Sequence, residues 1–521
     1  MAAPAVLLSL ILKSFNFIKM ENIITKSILW VMLTMPFSAL AHSNVINHSS
    51  TGELLVLPTL VAEYGLSDIS DIQELKLCSK PAPSVRSSES DNYFHAVLSE
   101  NGTLASELGD RKLEIDSISV EGPINEDDFN TLWESSFNGR LRIVNLEKAV
   151  IEGGKIPEYA FFHKDVQIDW DTWIITTTPL EKVILPDDVT EIGKGAFAYS
   201  INLVEINFPR ALRYIGTSAF TDCIRLPSEQ LAFPEGLEKI DEQAFYQCRS
   251  LDGKITLPSS LTWIDSAVFY NCAISDINIP ENLEYLSCMT FAGSRFKKAI
   301  LPDDCYLCPH GGQFYNNWEL TEAHLPDNME FVPMDIFTGC MQLAAVNIPS
   351  KARSIEEFAF DGTKITDIYF PETLESIGQD AFQGCYGLTT LLLPSSLKDL
   401  GDRSFALCSN LKSIYCKATV PPACLQASGY ESDGTPFSSV DTSIPVYIPV
   451  GTKQLYMAAA GWNSMTNFIE TDDFPSSGIY GVKTEDKWQD DSIYDLSGRK
   501  VNTPQPGTIN IQSGKKILIK R

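Results

Sequence analysis

The sequence predicts a β-rich, α+β solenoid, and two regularities carry that prediction. A proline followed eleven or twelve residues later by a phenylalanine recurs ten times within residues 185–408, with 22 to 25 residues from one proline to the next. Only in the unit that begins at Pro302 is the proline-to-phenylalanine distance twelve. Aliphatic residues also follow most of the prolines at the third and sixth positions, as Leu212 and Ile215 follow Pro209. This period is typical of leucine-rich repeats, so we expect a right-handed superhelix of about ten coils, capped at both ends.

Each unit contains a short strand before its proline, such as residues 203–208, whose alternating side chains turn one face inward. The repeated phenylalanine is expected to point into the same interior. The ladder comprises Phe197, Phe220, Phe245, Phe269, Phe291, Phe337, Phe360, Phe382 and Phe405, with Phe314 in the Pro302 unit. Because burial within one unit does not offset the entropy lost on ordering it, the coils are expected to be stable only when stacked.

The rest of the chain divides around this array. Residues 1–41 are expected to be a signal peptide with Met20 as the true start, Lys26 as its charged region and a small-residue cleavage site at Ala41; a membrane anchor is the alternative. The other predicted segments are an irregular stretch and linker (42–92), an amino-terminal cap (93–178), the solenoid (179–417), an insertion and capping coil (418–470), a linker (471–480) and a small β module (481–521). Within the cap, residues 113–120 alternate like a strand and Asn125 is placed to cap a helix.

Charge and motifs exclude several functions. Without residues 1–41 the chain carries 37 basic and 66 acidic residues, a net charge of −29, which repels nucleic acid and anionic membranes. No later segment is apolar enough to span a membrane. The six histidines form no recognisable nucleophile motif, and no phosphate-binding glycine loop or calcium loop stands out. We therefore expect no catalytic residues, cofactor or metal.

Six cysteines share one position, three residues after the repeated phenylalanine: Cys223, Cys248, Cys272, Cys340, Cys385 and Cys408. Adjacent coils lie about 4.7–4.9 Å apart, which disulfide geometry tolerates. Parallel side chains in a ladder point the wrong way for bridging, however, so buried free thiols are favoured over disulfides along 223–272 or 385–408.

Cys305 and Cys308, with His310 nearby, have the composition of a metal or redox motif. They also stand at the third and sixth positions after Pro302, which are the core positions of the repeat. The sequence therefore favours two ordinary core residues over metal or redox chemistry.

Trp263, Tyr315 and Trp318 are the candidate ligand surface. Trp263 stands next to an inward position, and the other two lie in the irregular Pro302 unit. Aromatic residues and breaks in a repeat often mark interaction surfaces. Local packing around the inserted residue is the alternative explanation.

The unit at 374–394 (LESIGQDAFQGCYGLTTLLLP) resembles the BspA-like leucine-rich repeat family of bacterial cell-surface proteins. The likeness extends over roughly residues 93–470. Residues 493–520 are similar to short carboxy-terminal sorting modules on secreted proteins of anaerobic Gram-negative bacteria.

The resemblance implies an exported, non-catalytic protein that is attached to the cell surface or outer membrane, or is extracellular. It also implies an adhesin-like role, with a host matrix protein or another bacterial surface protein as partner. The alternatives are a structural spacer on the cell envelope and a carbohydrate-binding protein with a glycan partner.

Overall fold

The computed structural model describes residues 92–162, 166–167, 173–174, 179–425, 435–475, 493–494, 509–512 and 515–518. The predicted signal peptide, almost all of the 42–92 segment and most of the carboxy-terminal module lie outside the described residues. All three assignments remain predictions.

The array is a parallel β-solenoid in which most coils contribute two short strands. The first strands, which precede the proline position, form one series of sheets: Tyr93–Val97, Ser117–Ile124, Ile143–Ile151, Lys182–Ile184 and Glu205–Ile206; Lys254–Thr256 and Asp276–Asn278; Lys298–Ile300, Glu322–His324 and Ala345–Val346; Thr390–Leu393, Ser413–Cys416, Val446–Ile448 and Phe468–Glu470. The second strands form two sheets: Lys155–Ile156, Glu191–Ile192, Tyr214–Ile215, Lys239–Ile240, Trp263–Ile264, Tyr285–Leu286 and Tyr306–Leu307; then Phe331–Val332, Ser354–Ile355, Ser376–Ile377, Asp399–Gly401 and Ala423–Leu425. All these neighbours pair in parallel, as stacked coils require.

The solenoid has about 15 turns, so the expected number of about ten coils was wrong. Both predicted caps are themselves built from coils. Ile143 of the amino-terminal cap pairs with Lys182 of the array, and Ile414 pairs with Val446 beyond the insertion. These outer coils lack the proline and phenylalanine signature, and only their backbone pairing identifies them.

A column of phenylalanine rings fills the interior. Every phenylalanine of the predicted ladder is fully buried, and successive rings stack nearly parallel, as Phe220 does on Phe245 with 5.0 Å between ring centroids. Phe161 and Phe437 extend the column into the two caps. The coils therefore share one continuous apolar core.

Two left-handed residues in each coil bracket the buried phenylalanine. In the Pro209 coil they are Ser218 and Asp222, with φ of 55° and 57°. This conformation costs about 1–2 kcal/mol for a residue other than glycine. The N–H groups of Ser218, Phe220 and Asp222 donate to carbonyls of the next coil at 2.7–2.8 Å, which offsets the cost.

α-Helix is confined to the two ends of the described array. The α-helices are Leu104–Leu108, Glu126–Phe137 and Lys453–Ala458, and the 3-10 helices are Gly109–Leu113, Glu152–Gly154 and Ser228–Gln230. The helix predicted after Asn125 is confirmed, with a capping box between Asn125 and Asp128. The strand predicted at 113–120 was misplaced: Leu113 ends a 3-10 helix, and the strand is Ser117–Ile124.

The carboxy-terminal helix holds the last coils together. Tyr456 and Trp462 are fully buried, and the Tyr456 hydroxyl donates to the Ala418 carbonyl at 2.7 Å.

The remaining described strands are antiparallel. Ile493–Tyr494, Ile509–Gln512 and Lys515–Leu518 form a three-stranded sheet, and Val166–Gln167 pairs with Trp173–Ile174. Across the described parts of the chain, every helix is too short or too polar to cross a membrane.

Candidate functional site

Three aromatic side chains from successive second strands form an exposed row, here called the aromatic strip: Trp263, Tyr285 and Tyr306. The parallel register places Trp263 beside Tyr285 and Tyr285 beside Tyr306. The ring centroids are 4.0 Å apart in the first pair and 6.0 Å in the second, with both pairs stacked. Trp263 is 37% exposed and Tyr306 53%, so the strip presents apolar edges to solvent from rigid strands.

The outward row continues on the amino-terminal side of the strip. Lys239 pairs in register with Trp263, and its Nζ lies over the indole, 5.4 Å from the ring centroid. The same ammonium group is 5.9 Å from the Tyr214 ring on the preceding coil. Trp263 is therefore covered on one face by Tyr285 and approached on the other by a cation.

Carboxylates flank the row. The Tyr214 hydroxyl donates to Asp241, whose other oxygen is 2.8 Å from Lys239 Nζ. Burial, together with the Asp241 hydrogen bond, raises the pKa of Tyr214. The Trp263 indole N–H donates to Asp265 at 3.5 Å. The strip is thus an aromatic surface with an acidic border, and the sequence carries a formal charge of −27.

A cleft of about 380 Å³ opens at the carboxy-terminal end of the strip. It is lined by Asp304, Cys305, Tyr306, Leu307, Asn328, Met329, Glu330 and Phe331. In neighbouring coils the residue after the second strand donates its N–H to the previous coil, as Cys308 does to Leu286 at 3.1 Å and Glu356 does to Val332 at 2.9 Å. Pro333 holds this position in the coil between them and has no N–H to donate. The second-strand sheet therefore ends at Leu307 and restarts at Phe331, with the cleft at the break.

The three predicted ligand residues do not form one patch. Trp263 lies in the strip. Tyr315 is half-buried after the core phenylalanine, where burial and then the nearby Asp335 raise its pKa. Trp318 is 48% exposed in the turn before the next first strand, 5.3 Å below the Arg295 guanidinium.

Tyr285, Tyr306 and Phe331 were missed. The signal for Tyr285 was available, because it stands five residues after Pro280 as Trp263 does after Pro258. Tyr306 stands only four residues after Pro302, so a search of the fifth position after each proline does not find it.

The ladder cysteines are buried free thiols in the structure. Cys223 donates its S–H to the Phe197 carbonyl at 3.2 Å, and Cys248 donates to Phe220 at 3.1 Å. Burial raises the pKa of each of these thiols, so they are inert at neutral pH.

Cys308 is buried, as predicted, but the position predicted for it was wrong. Cys305 does occupy a core position, but Leu307 pairs in register with Leu286 and takes the second one. The second strand of this coil comes one residue early, and Cys308 is displaced to the turn that follows it. Cys308 therefore lies opposite Ser287 on the preceding coil, one residue from Cys288.

One group has the composition of a cation site: Asp303, His324 and Asp327, whose ligand atoms lie within 4.8 Å of one another. Both aspartates are exposed. Asp303 already accepts the Asp327 N–H at 3.3 Å, and Asp327 accepts the Asn347 amide at 3.3 Å. These hydrogen bonds account for the cluster without a cation.

Two-stranded parallel coils around a phenylalanine column, with outward side chains on one face, define the chain as a leucine-rich repeat solenoid. A family model described as "BspA type Leucine rich repeat region" matches residues 175–297 and 311–424, in six copies. These residues therefore consist of BspA-type leucine-rich repeats. Solenoids of this kind are typically non-catalytic scaffolds that bind protein partners.

Solved structures similar to this chain include several bacterial leucine-rich repeat proteins. A leucine-rich repeat protein from Bacteroides ovatus is 23% identical over 53% of this chain and 79% of that chain, with a TM-score of 0.38. A leucine rich cell surface protein from Faecalibacterium prausnitzii is 20% identical, covering 60% and 89%, with a TM-score of 0.36. The pneumococcal vaccine antigen PcpA is 18% identical, covering 69% and 80%, with a TM-score of 0.33. No curated protein matches the chain.

Proposed function

We propose that the chain is an exported, cell-surface, adhesin-like protein that binds another protein without catalysing a reaction. Its family of bacterial surface repeat proteins and the leader-like features of residues 1–41 support export. The observation that carries the binding role is the aromatic strip beside the cleft.

The strip has the properties of a protein-binding hot spot. Tryptophan and tyrosine dominate such sites because they bury large areas at little conformational cost. Here Trp263 and Tyr285 are held by mutual stacking on paired strands, so little further ordering is needed on binding. The cleft lined by Tyr306 and Phe331 offers a pocket for an apolar side chain of the partner.

Charge defines the chemistry of the partner. Asp241 and Asp265 border the strip, Asp304 and Glu330 line the cleft, and the whole chain is acidic. A protein with an apolar centre and a basic rim is complementary to this surface, and complementary charge raises the rate of encounter.

The covered ring faces favour a protein over a glycan. A sugar ring binds an aromatic side chain through an open face of that ring. Tyr285 stacks on Trp263 at 4.0 Å and Lys239 lies over its indole, so the edge rather than a face meets solvent. A structural spacer, the remaining alternative, needs no exposed aromatic row.

Binding of the full chain to immobilised extracellular-matrix proteins and to intact bacterial cells tests the proposal. We expect saturable binding to at least one surface, and the double variant Trp263→Ala with Tyr306→Ala should weaken it at least about tenfold. Trp318→Ala is the matched control, because it removes an exposed tryptophan elsewhere on the coil and should leave binding intact.

Equal binding by the strip variant and the wild type would place the ligand surface elsewhere. No saturable binding to any protein surface would favour the spacer. Binding on a glycan array that disappears with Trp263→Ala would favour carbohydrate recognition.

A further inference from the structure

Cys288 and Cys308 form a cross-coil pair of thiols outside the core ladder. The Cys308 N–H donates to the Leu286 carbonyl at 3.1 Å, which fixes Cys308 on the coil next to Cys288. The register pairs Leu307 with Leu286, so Cys308 lies opposite Ser287, one residue from Cys288. Ser266 Oγ lies 3.3 Å from Cys288 Sγ on the opposite side.

The position of the pair distinguishes it from the ladder cysteines. Each ladder thiol, such as Cys272 at 3.1 Å from the Phe245 carbonyl, is buried and donates to a backbone carbonyl of the preceding coil. Cys288 and Cys308 instead lie at the corner after the second strand, and Cys288 is partly exposed.

The surroundings of the pair favour a thiolate on one sulfur. Hydrogen bonds from the Cys288 thiol and from the His310 backbone, with a smaller contribution from Tyr285, hold the pKa of Cys308 below its usual range despite burial. The same contact, together with burial, raises the pKa of Cys288. Cys308 is therefore the nucleophile, and Cys288 keeps its proton until Cys308 has formed a mixed disulfide.

We propose that Cys288 and Cys308 are a dithiol–disulfide site that staples the Pro302 coil to the preceding coil. The oxidant is a small-molecule disulfide of the oxidised glutathione class. The Cys308 thiolate attacks one sulfur of that disulfide, whose S–S bond breaks and releases one small thiol. Cys288 then loses its proton to water and attacks the Cys308 sulfur, releasing the second small thiol. Two protein thiols are oxidised, and one small disulfide is reduced to two thiols.

Neighbouring coils are compatible with this bond. Paired strands lie about 4.7–4.9 Å apart and successive residues about 3.3 Å apart along a strand. Cα atoms that are one residue out of register on neighbouring coils are therefore about 6 Å apart, within the roughly 4.4–6.8 Å that a disulfide joins. The bond closes a loop of one coil immediately before the cleft. It ties down the coil that carries Tyr306, and its formation does not depend on which ligand the surface binds.

Peptide mapping tests the proposal directly. The reduced full chain is equilibrated with oxidised glutathione, alkylated without reduction and cleaved after aromatic residues. Cleavage after Tyr285, Phe291, Tyr306 and Phe314 puts Cys288 in peptide 286–291 and Cys308 in peptide 307–314. We expect these two peptides to be recovered as one linked species. The neighbouring ladder cysteines Cys385 and Cys408 are the internal control and should remain alkylated thiols.

Two outcomes would overturn the proposal. Recovery of 286–291 and 307–314 as separate alkylated peptides would show that the site does not oxidise. A link between 297–306 and 307–314 would mean that Cys305 is the partner of Cys308.

Alkylation kinetics provide a second readout in the reduced protein at pH 6. Cys308 should react faster than the ladder cysteines, and Cys288→Ala should slow it about tenfold or more, because the loss of the thiol donor raises the pKa of Cys308. Cys305→Ser, which removes the other nearby thiol, should leave the rate unchanged. An unchanged rate in Cys288→Ala would contradict the assigned pairing.

Discussion

The regular coils between Pro209 and Pro280 differ from the irregular coil that begins at Pro302 in how their side chains fill the core. In the regular coils the phenylalanine rings stack at 5.0–5.4 Å and a ladder cysteine donates to a backbone carbonyl. The stack widens to 5.8 Å between Phe269 and Phe291 and to 5.9 Å between Phe291 and Phe314, and in the Pro302 coil Asn317 replaces the cysteine. The second-strand sheet ends in the Pro302 coil, at Leu307.

The difference shows where a repeat can accommodate irregularity. Phe314 and Leu307 keep the inward positions, so the core is preserved. The irregularity affects residues outside the core. Cys308 lies at the corner after the second strand, and the cleft lies beside Tyr306. Local departures from a consistent pattern often coincide with functional sites.

The largest expected effect is at Gly311. The corresponding residue of a regular coil is Glu242, because Ser218 N–H donates to Glu242 as Met289 N–H donates to Gly311. Gly311 has φ of +66°, and a Cβ there would lie 1.4 Å from the Met334 carbonyl oxygen. Gly311→Ala should lower the free energy of unfolding by more than about 4 kcal/mol, measured by urea denaturation.

Glu242→Ala is the matched control and should leave the denaturation midpoint almost unchanged, since burial already raises the pKa of that carboxyl and disfavours its charge. If Gly311→Ala and the wild type have similar denaturation midpoints, the Pro302 coil does not require glycine at the position that Glu242 holds in a regular coil.

The periodic part of the fold was predictable because a solenoid repeats in one dimension. The spacing from Pro209 to Phe220 placed the whole phenylalanine column in the core. Phe161 and Phe437 could not be found this way, because no proline-to-phenylalanine unit precedes them and only tertiary stacking joins them to the column.

The site was less predictable because it depends on contacts between coils. Trp263 was identified, but its stacking on Tyr285 requires the register of two strands. The cleft depends on the missing N–H of Pro333, whose effect is visible only when the neighbouring strand is known. Cys308 was misassigned because counting from Pro302 assumed an unbroken register.

Asn317 provides the second prediction. Its amide donates to the Phe291 and Phe314 carbonyls at 2.8 and 3.0 Å, but its buried Oδ1 has no hydrogen-bond partner in the described structure. A buried unsatisfied acceptor costs about 1–3 kcal/mol. Asn317→Cys should therefore raise the free energy of unfolding by about 1 kcal/mol or more in urea denaturation.

The reciprocal substitution sharpens the test. Cys340 on the next coil donates to the Phe314 carbonyl at 3.1 Å, so Cys340→Asn should destabilise the chain by introducing the same orphaned oxygen. A lower denaturation midpoint for Asn317→Cys would mean that the irregular coil prefers the amide.

The smallest expected effect concerns the residue after the core phenylalanine, which is Asp361 in the Pro349 coil and Tyr315 in the Pro302 coil. Burial, with further repulsion from Asp380 and Asp335, raises the pKa of Asp361 to about 6 against the weaker opposing effects of Gln383 and Arg403. The folded state therefore holds a proton more tightly than the unfolded state. The resulting stability is fully present below the unfolded pKa and is lost as pH rises through about 6.

Asp361→Asn removes this titration, because the amide is neutral throughout. At pH 7 the variant should be more stable than the wild type by about 1–2 kcal/mol, after allowance for the partial exposure of the carboxyl, and the difference should shrink towards zero near pH 4. Urea denaturation at pH 4 to 7 measures it. Tyr315→Phe is the control, since burial raises the pKa of that phenol and moves it further from this range. A stability difference for Asp361→Asn that does not change with pH would show that packing rather than charge controls this corner of the coil.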